Sequence, residues 1–392
     1  MRYEAVDVET TMNNVGDERV GGSAASPHHP DNRVVAWCFV REDGYGIGLS
    51  PSPLPLTADV LIGHNIKFDL HYINKTQDVK KWIANGGQIW DTMVAEYVLS
   101  GMSKTMKVKG ELSLDGLCRA AGLPVKDSKI TEYFKVGMGA DKIPWEELEP
   151  YLEADTTNAY ALFEAQTKLA AMTGRMQLLL NAMEATLATW VMESNGTWVD
   201  KGGVEEYRNE LRHDIDVIEY EIHKAAMEVL PAHITLNPSS HQQLSKLFFG
   251  GEFKYTEDAV LADEEGNVLK YKSGKKKGEV KTKKVERVYV HPPMVLLTPR
   301  HYGAEEVSSG GWSVTEKVLT TLSHHDDTKE MANLLLSLRL KQKELGTYVD
   351  GYLSRIWHDG LLHPEYNMAL TGTGRLSCSN PNLQNIKSRD DE

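Results

Sequence analysis

The apolar period changes along this chain, and that change restricts the folds open to it. Between Arg2 and Thr10 apolar and polar residues alternate, the two-residue period of a β-strand. Further on, Val204, Tyr207, Leu211, Ile215, Ile218, Ile222 and Ala226 recur three or four apart with charged residues between them, the stripe of a long amphipathic helix. One core cannot serve both patterns over 392 residues, so two or three domains are expected.

Within the first part, Val34–Val40 and Tyr45–Leu49 read as strands joined by a turn at Glu42-Asp43-Gly44, and Val60–Gly63 as a short apolar strand. Met12 to Arg33, rich in Gly, Ser, Pro, Asn and Asp, reads as a long loop. Helical spacing follows from Leu70, from Trp90 to Leu99, and from Leu112 to Ala121, where Gly122 and Pro124 stop it. Strands interleaved with helices define an α/β domain, ending near Thr173-Gly174. Met176–Asn195 begins a mainly helical region, closed by Gly196. The Val204–Ala226 stripe has a natural partner in Met331–Trp357, which carries Leu334, Leu338, Leu345, Tyr348, Tyr352 and Ile356. The residues between suggest an arm with a β-rich insert at about 251–312.

The apolar fraction of 41 % and charged fraction of 25 % are those of a globular protein. No apolar run reaches the ~18 residues of a membrane helix, and acids interrupt the N-terminus too early for a signal peptide. Cys38, Cys118 and Cys378 form no CxxC pair, which fits a reducing, cytoplasmic compartment. A net charge of −13 speaks against nucleic-acid binding until its distribution is considered. From Lys270 to Arg287 nine Lys/Arg face two Glu. Elsewhere, carboxylates gathered for cations would lower the net charge without opposing DNA.

Three short acidic motifs occur in order. Asp7-Val-Glu9 lies on the first strand, where residues two apart share a face. His64-Asn-Ile-Lys-Phe-Asp69 runs from a strand end into a helix and presents Asp69. Tyr151-Leu-Glu-Ala-Asp155 places Tyr151 and Asp155 one helical turn apart. Singly, each has a plainer reading: a solvated surface pair, a helix N-terminal acid, a packing tyrosine. Together, four carboxylates from three segments are what a two-metal phosphodiesterase site requires. Oxygen ligands suit Mg²⁺ or Mn²⁺, and two such ions about 4 Å apart can clamp the attacking and leaving oxygens of an in-line displacement. Tyr151 could hydrogen-bond the attacking water.

This ordered set, DxE, then Nx₂₋₃D, then Yx₃D, resembles the DEDD superfamily of 3′–5′ exonucleases. Pro150 stands where the histidine variant would need His, so the resemblance is to the tyrosine subtype. It implies a ribonuclease H-like domain in which Asp7, Glu9 and Asp155 hold one of two divalent ions, Asp69 acts mainly on the second, and a single-stranded 3′ end is cut to a 5′-monophosphate. Asn65, in the second motif, is a candidate DNA contact. Trp90-Asp-Thr-Met also resembles a segment packed beside that site, and the structural reading is preferred for it.

Thr371-Gly-Thr-Gly-Arg-Leu-Ser-Cys-Ser-Asn-Pro-Asn-Leu-Gln-Asn-Ile386 resembles the segment that leads into the palm of family A DNA polymerases. Leu236–Phe248 and Leu345–Tyr352 resemble thumb segments of the same family, with the strand near Asp359–Pro364 following. The resemblance implies an exonuclease domain at 1–174, a thumb-like region at 175–357 and the start of a palm at 358–392, with Arg375, Gln384 and Asn385 against primer–template. The metal- and nucleotide-binding motifs of the polymerase centre lie beyond such a segment, so no polymerase activity of its own is expected. Lys387 replaces the usual Pro and the tail is charged. The expectation is a phage-type, split or truncated polymerase whose other half is a separate chain. The run with Lys275, Lys276 and Lys277 stays open between tracking duplex phosphates and a solvated tip or protein dock. The competing class is a DNA-holding assembly subunit with weak or no exonuclease activity.

Overall fold

The computed structural model describes residues 1–13, 24–49, 56–125 and 128–386. Part of the Met12–Arg33 loop, and Lys387 with the charged tail, lie outside the described residues. The chain divides into two compact units: Met1–Lys201 with Gly351–Glu392, and Gly202–Asp350.

The first unit is built on a five-stranded sheet of β1 (Tyr3–Thr10), β2 (Val34–Arg41), β3 (Gly44–Leu49), β4 (Val60–Gly63) and β5 (Gln88–Asp91), in the order β3-β2-β1-β4-β5. The β3-β2-β1 side is antiparallel and the β1-β4-β5 side parallel, so β1 is central. Helices α1 (Lys67–Ile73), α2 (Val79–Ala84), α3 (Thr92–Leu99), α4 (Leu114–Ala121), α5 (Ser128–Lys135), α6 (Trp145–Met172) and α7 (Met176–Asn195) surround it. Both sheet faces are covered. Val6 and Val8 belong to the main core with Leu61, Ile62, Leu70 and Trp190, while Ala36 and Cys38 pack under Leu148 and Leu152 of α6.

Trp90 and Asp91, expected at the start of a helix, instead end β5. Trp90 pairs with Ile62 and Asp91 with Gly63, and the helix begins only at Thr92 because the Asp91 side chain caps it. After α7, Gly196 takes φ 67, and a Cβ there would stand 2.9 Å from His363 Cε1, so only glycine fits. β6 (Thr197–Trp198) follows and pairs with β9 (Leu361–Leu362). The C-terminal segment thus rejoins this unit and forms a small ladder of β10 (Glu365–Asn367) with β11 (Ser377–Ser379). Tyr97 Oη donates to the Thr371 carbonyl at 2.6 Å, holding the Gly-rich loop against α3.

The second unit contains α8 (Lys201–Val229), α9 (His241–Phe249), the strands β7 (Gly251–Val260) and β8 (Thr282–His291), α10 (Glu316–Leu322) and α11 (Lys329–Lys343). The pairs Arg208–Asp350 and Asp214–Lys341 run in opposite directions along the chain, so α8 and α11 are antiparallel. Ile222 and Ala226 share a core with Met331, Leu335 and Leu338. The single helix expected over Met331–Trp357 is broken: α11 stops at Lys343, a π-helical turn spans Glu344–Asp350, and α12 (Gly351–Leu353) closes it. Gly346 within this turn and Gly351 just after it lower the cost of leaving the α-helical hydrogen-bond pattern. The insert is a long hairpin, β7 pairing β8 from Gly251↔His291 to Val260↔Thr282, with Lys275, Lys276 and Lys277 exposed at its tip. No helix among the described residues is long and apolar enough to cross a membrane.

Candidate active site

Register places the first two acids. Asp7 lies opposite Cys38 and Glu9 opposite Ala36, so both carboxylates share the sheet face on which Ala36 and Cys38 pack against α6. Leu148 and Leu152 anchor α6 to that face, and Tyr151 and Asp155, displaced by three residues, are carried to its border with Asp7 and Glu9. Phe134 fixes the Tyr151 ring edge-on, with centroids 6.1 Å apart at 73°.

Asp69 arrives from the other neighbour of β1. β4 pairs β1 only over Tyr3, Glu4 and Ala5 and ends at Gly63. Beyond that point the Val8 N–H has no strand to donate to, and Asp69 Oδ1 accepts it at 3.0 Å. The Asp69 side chain therefore takes the place of a ladder partner, buried at 3 % exposure.

The acids feel one another. Burial pushes the Asp69 carboxyl well above the usual carboxylate range, and the negative charges of Asp7 and Glu9 push it further, against the Val8 hydrogen bond. Burial also drives the Tyr151 phenol upward, followed by the charges of Asp155, Glu9 and Asp7. The five residues singled out in sequence thus form one electrostatic cluster. Among the described residues no three His, Cys, Asp or Glu side chains already stand as a cage for an ion. The fit to divalent cations rests on donor chemistry: hard oxygen donors whose mutual repulsion positive charge would relieve.

The opposite face of α1 meets a second polar group. Lys67 Nζ donates to Glu193 Oε1 at 2.5 Å and to the Tyr366 carbonyl, and Glu193 also receives the Tyr366 N–H at 2.6 Å. His71 Nε2 lies 3.1 Å from Glu193 Oε2. Burial raises the Glu193 carboxyl, but the His71 hydrogen bond and the Lys67 charge outweigh it, and the net direction is down. These residues line a cleft of about 310 Å³ that also touches Asn65, Asp91 and Asn380 but none of the four acids. Sequence reasoning missed Glu193. Its one signal is a carboxylate two residues before the helix end in an otherwise apolar stripe.

Of the candidate DNA contacts, Asn65 sits in the left-handed region at φ 59 between β4 and α1. Arg375, Gln384 and Asn385 are exposed on the C-terminal segment of the first unit. The three hairpin lysines belong to the second unit.

The fold has a solved counterpart. It is similar to that of the POL domain of Pol1 from M. smegmatis, solved in complex with DNA primer-template and dNTP, with a TM-score of 0.60 over 99 % of this chain and 53 % of that one at 18 % identity. Sequence narrows it. Residues 293–392 match DNA polymerase family A. DNA polymerase I of Chloroflexus aurantiacus is 38 % identical over 97 residues, 24 % of this chain and 10 % of that protein. DNA polymerase I of Synechocystis sp. is 25 % identical over 334 residues, 83 % of this chain and 27 % of that protein. Residues 293–392 are thus similar to part of the family A DNA polymerases, and the matches span about a quarter or less of these curated relatives.

Proposed function

We propose that residues 1–174 form a ribonuclease H-like 3′–5′ exonuclease domain that removes nucleotides from DNA ends, as a proofreading activity would, and that residues 175–357 form a thumb-like DNA-holding region leading to the start of a palm at 358–392. The observation that carries this reading is the Asp69 carboxyl seated on the Val8 amide within the field of Asp7 and Glu9. A surface pair or a helix-dipole acid would have no reason to be buried against like charges.

Asp7, Glu9, Asp69 and Asp155 would hold two divalent cations, Mg²⁺ or Mn²⁺, which supply positive charge for displacement at a phosphodiester. The Val8 amide fixes the Asp69 carboxyl, and strand geometry fixes Asp7 relative to Glu9. Burial above all opposes the phenolate, so Tyr151 is proposed to keep its proton. It therefore serves as a hydrogen-bonding group that orients water or phosphate, not as the base. Arg375, Gln384, Asn385 and Asn65 are proposed DNA contacts, and minor-groove acceptors offered by every base pair suit such side chains. Lys275, Lys276 and Lys277 are proposed to follow duplex phosphates.

The deciding experiment is digestion of 5′-labelled single-stranded and 3′-recessed DNA with Mg²⁺, with Asp7→Ala as control. Stepwise shortening from the 3′ end that the variant lacks supports the reading. DNA binding without shortening favours a DNA-holding subunit instead.

A further inference from the structure

One carboxylate outside the acidic cluster controls how Asp69 is presented. Asp91 ends β5, opposite Gly63 of β4, and is 1 % exposed. Its Oδ1 accepts the N–H groups of Met93 at 2.9 Å and Val94 at 3.3 Å, an ordinary cap for α3. The same oxygen accepts the Asn65 N–H at 3.1 Å, and Oδ2 accepts the Ile66 N–H at 3.2 Å. The last two belong to a different segment, the turn that enters α1. That helix has no side-chain cap from its own N-cap residue, Ile66. One buried side chain thus caps two helices, one of them from outside.

The turn it holds is a tight one. Asn65 lies at φ 59, and Gly63 before it accommodates Ile66, whose Cγ1 would stand 2.8 Å from a Cβ at Gly63. Thr92, the neighbour of Asp91, adds two bonds: its hydroxyl donates to the Gly63 carbonyl at 3.2 Å and lies 2.9 Å from His64 Nδ1. Three residues past Ile66, Asp69 reaches the Val8 amide.

We propose that Asp91 is a positioning residue for the acidic site: by capping α1 across the turn and fixing the Asn65 conformation, it sets where the Asp69 carboxylate stands against β1. This rests on the exonuclease reading above. A helix cap for α3 alone would need one oxygen and would not reach Asn65 and Ile66.

Two variants of the full chain separate the roles. Asp91→Ser keeps an oxygen for α3 but cannot span to the turn. Asp91→Asn keeps the shape but turns an N–H donor toward a backbone donor. Amide hydrogen exchange is read over residues 64–70 and 93–99, with the Mg²⁺ concentration for half-maximal exonuclease activity and KM for single-stranded DNA. Faster exchange confined to 64–70, a Mg²⁺ requirement raised about tenfold, as outer-shell changes commonly do, and a KM raised through the displaced Asn65 are expected. Unchanged exchange over 64–70 overturns the proposal. So does a loss of activity that extra Mg²⁺ does not restore and that tracks lost thermal stability. A parent chain without nuclease activity would sink the exonuclease reading itself. Asp91 would then stand or fall on exchange over 64–70 and on Mn²⁺ affinity, read from the paramagnetic signal of the free ion.

Discussion

Asp69 Oδ1 and the Val8 amide, 3.0 Å apart and sixty-one residues distant in sequence, are joined where β4 stops and β1 continues. The bond completes the sheet and puts a carboxyl beside Asp7 and Glu9 at once. Replacing an acid proposed to hold a cation, such as Asp7 or Asp155, should therefore harm chemistry more than folding. Asp7→Ala and Asp155→Ala are expected to lower 3′-end hydrolysis by more than about 100-fold, a loss that even outer-shell partners of metal ligands can reach. Binding of single-stranded DNA, measured by fluorescence anisotropy, should change little. Equal loss of binding and hydrolysis would count against the site.

Tyr151→Phe removes only the hydroxyl and leaves the ring against Phe134. Turnover should fall about 10–100-fold, the loss expected for one hydrogen bond to a charged group, about 1.5–3 kcal/mol. The thermal midpoint should hold. A variant as active as the parent would make Tyr151 a packing residue.

Glu193 holds Lys67, His71 and the Tyr366 amide together while only 5 % of its side chain is exposed. Glu193→Gln strands the Lys67 charge in a nearly closed site. Breaking such a pair costs about 3–5 kcal/mol, to be read from urea unfolding. Lys67→Met added to Glu193→Gln should recover part of the loss.

Acid should weaken the first unit through its histidines. Burial lowers the His28 pKa to about 2, helped by neighbouring groups that are or would become cationic, Lys75 among them, and burial lowers that of His71 against the pull of Glu193. Below the ordinary value of about 6.5 the unfolded chain takes up protons that the folded chain refuses. Stability from these groups is thus present above that pH and is lost as pH falls below it, by at most about 1.4 kcal/mol per pH unit for each histidine. His28 stacks on His363 with centroids 3.9 Å apart, so His28→Phe keeps the ring contact. Its urea midpoint should fall less than that of the parent between pH 7.5 and pH 5.5. Parallel slopes would refute the assignment.

Alanine at Lys275, Lys276 and Lys277 together should flatten the dependence of duplex affinity on salt, by about 0.9 in log–log slope for each phosphate that the hairpin no longer neutralises. These side chains are exposed, so stability should not move. An unchanged slope would leave the hairpin tip away from the DNA.

Local pattern made much of this legible. Alternation marked β1 and put Asp7 with Glu9; the four-residue spacing joined Tyr151 to Asp155; the long stripes announced α8 and α11. Illegible were features that depend on partners distant in sequence. The Trp90–Leu99 spacing could not show that Trp90 and Asp91 pair with Ile62 and Gly63, because a strand end beside another strand has no local period of its own. Nor could the Met331–Trp357 stripe show its π-helical turn, since one extra residue in a turn barely disturbs an apolar pattern.

The sequence by itself determined which residues could carry charge to a site and on which face of each element they would stand, because strand and helix periods are properties of the local backbone. Only the tertiary structure decided that the three segments meet. β4 ends before it reaches Val8, Asp69 takes the vacant amide, Asp91 caps the turn into α1, and Glu193 grips Lys67 and His71 on that helix. Buried carboxylates are tolerated only where donors converge on them. That convergence is set by the packing of segments far apart in the chain.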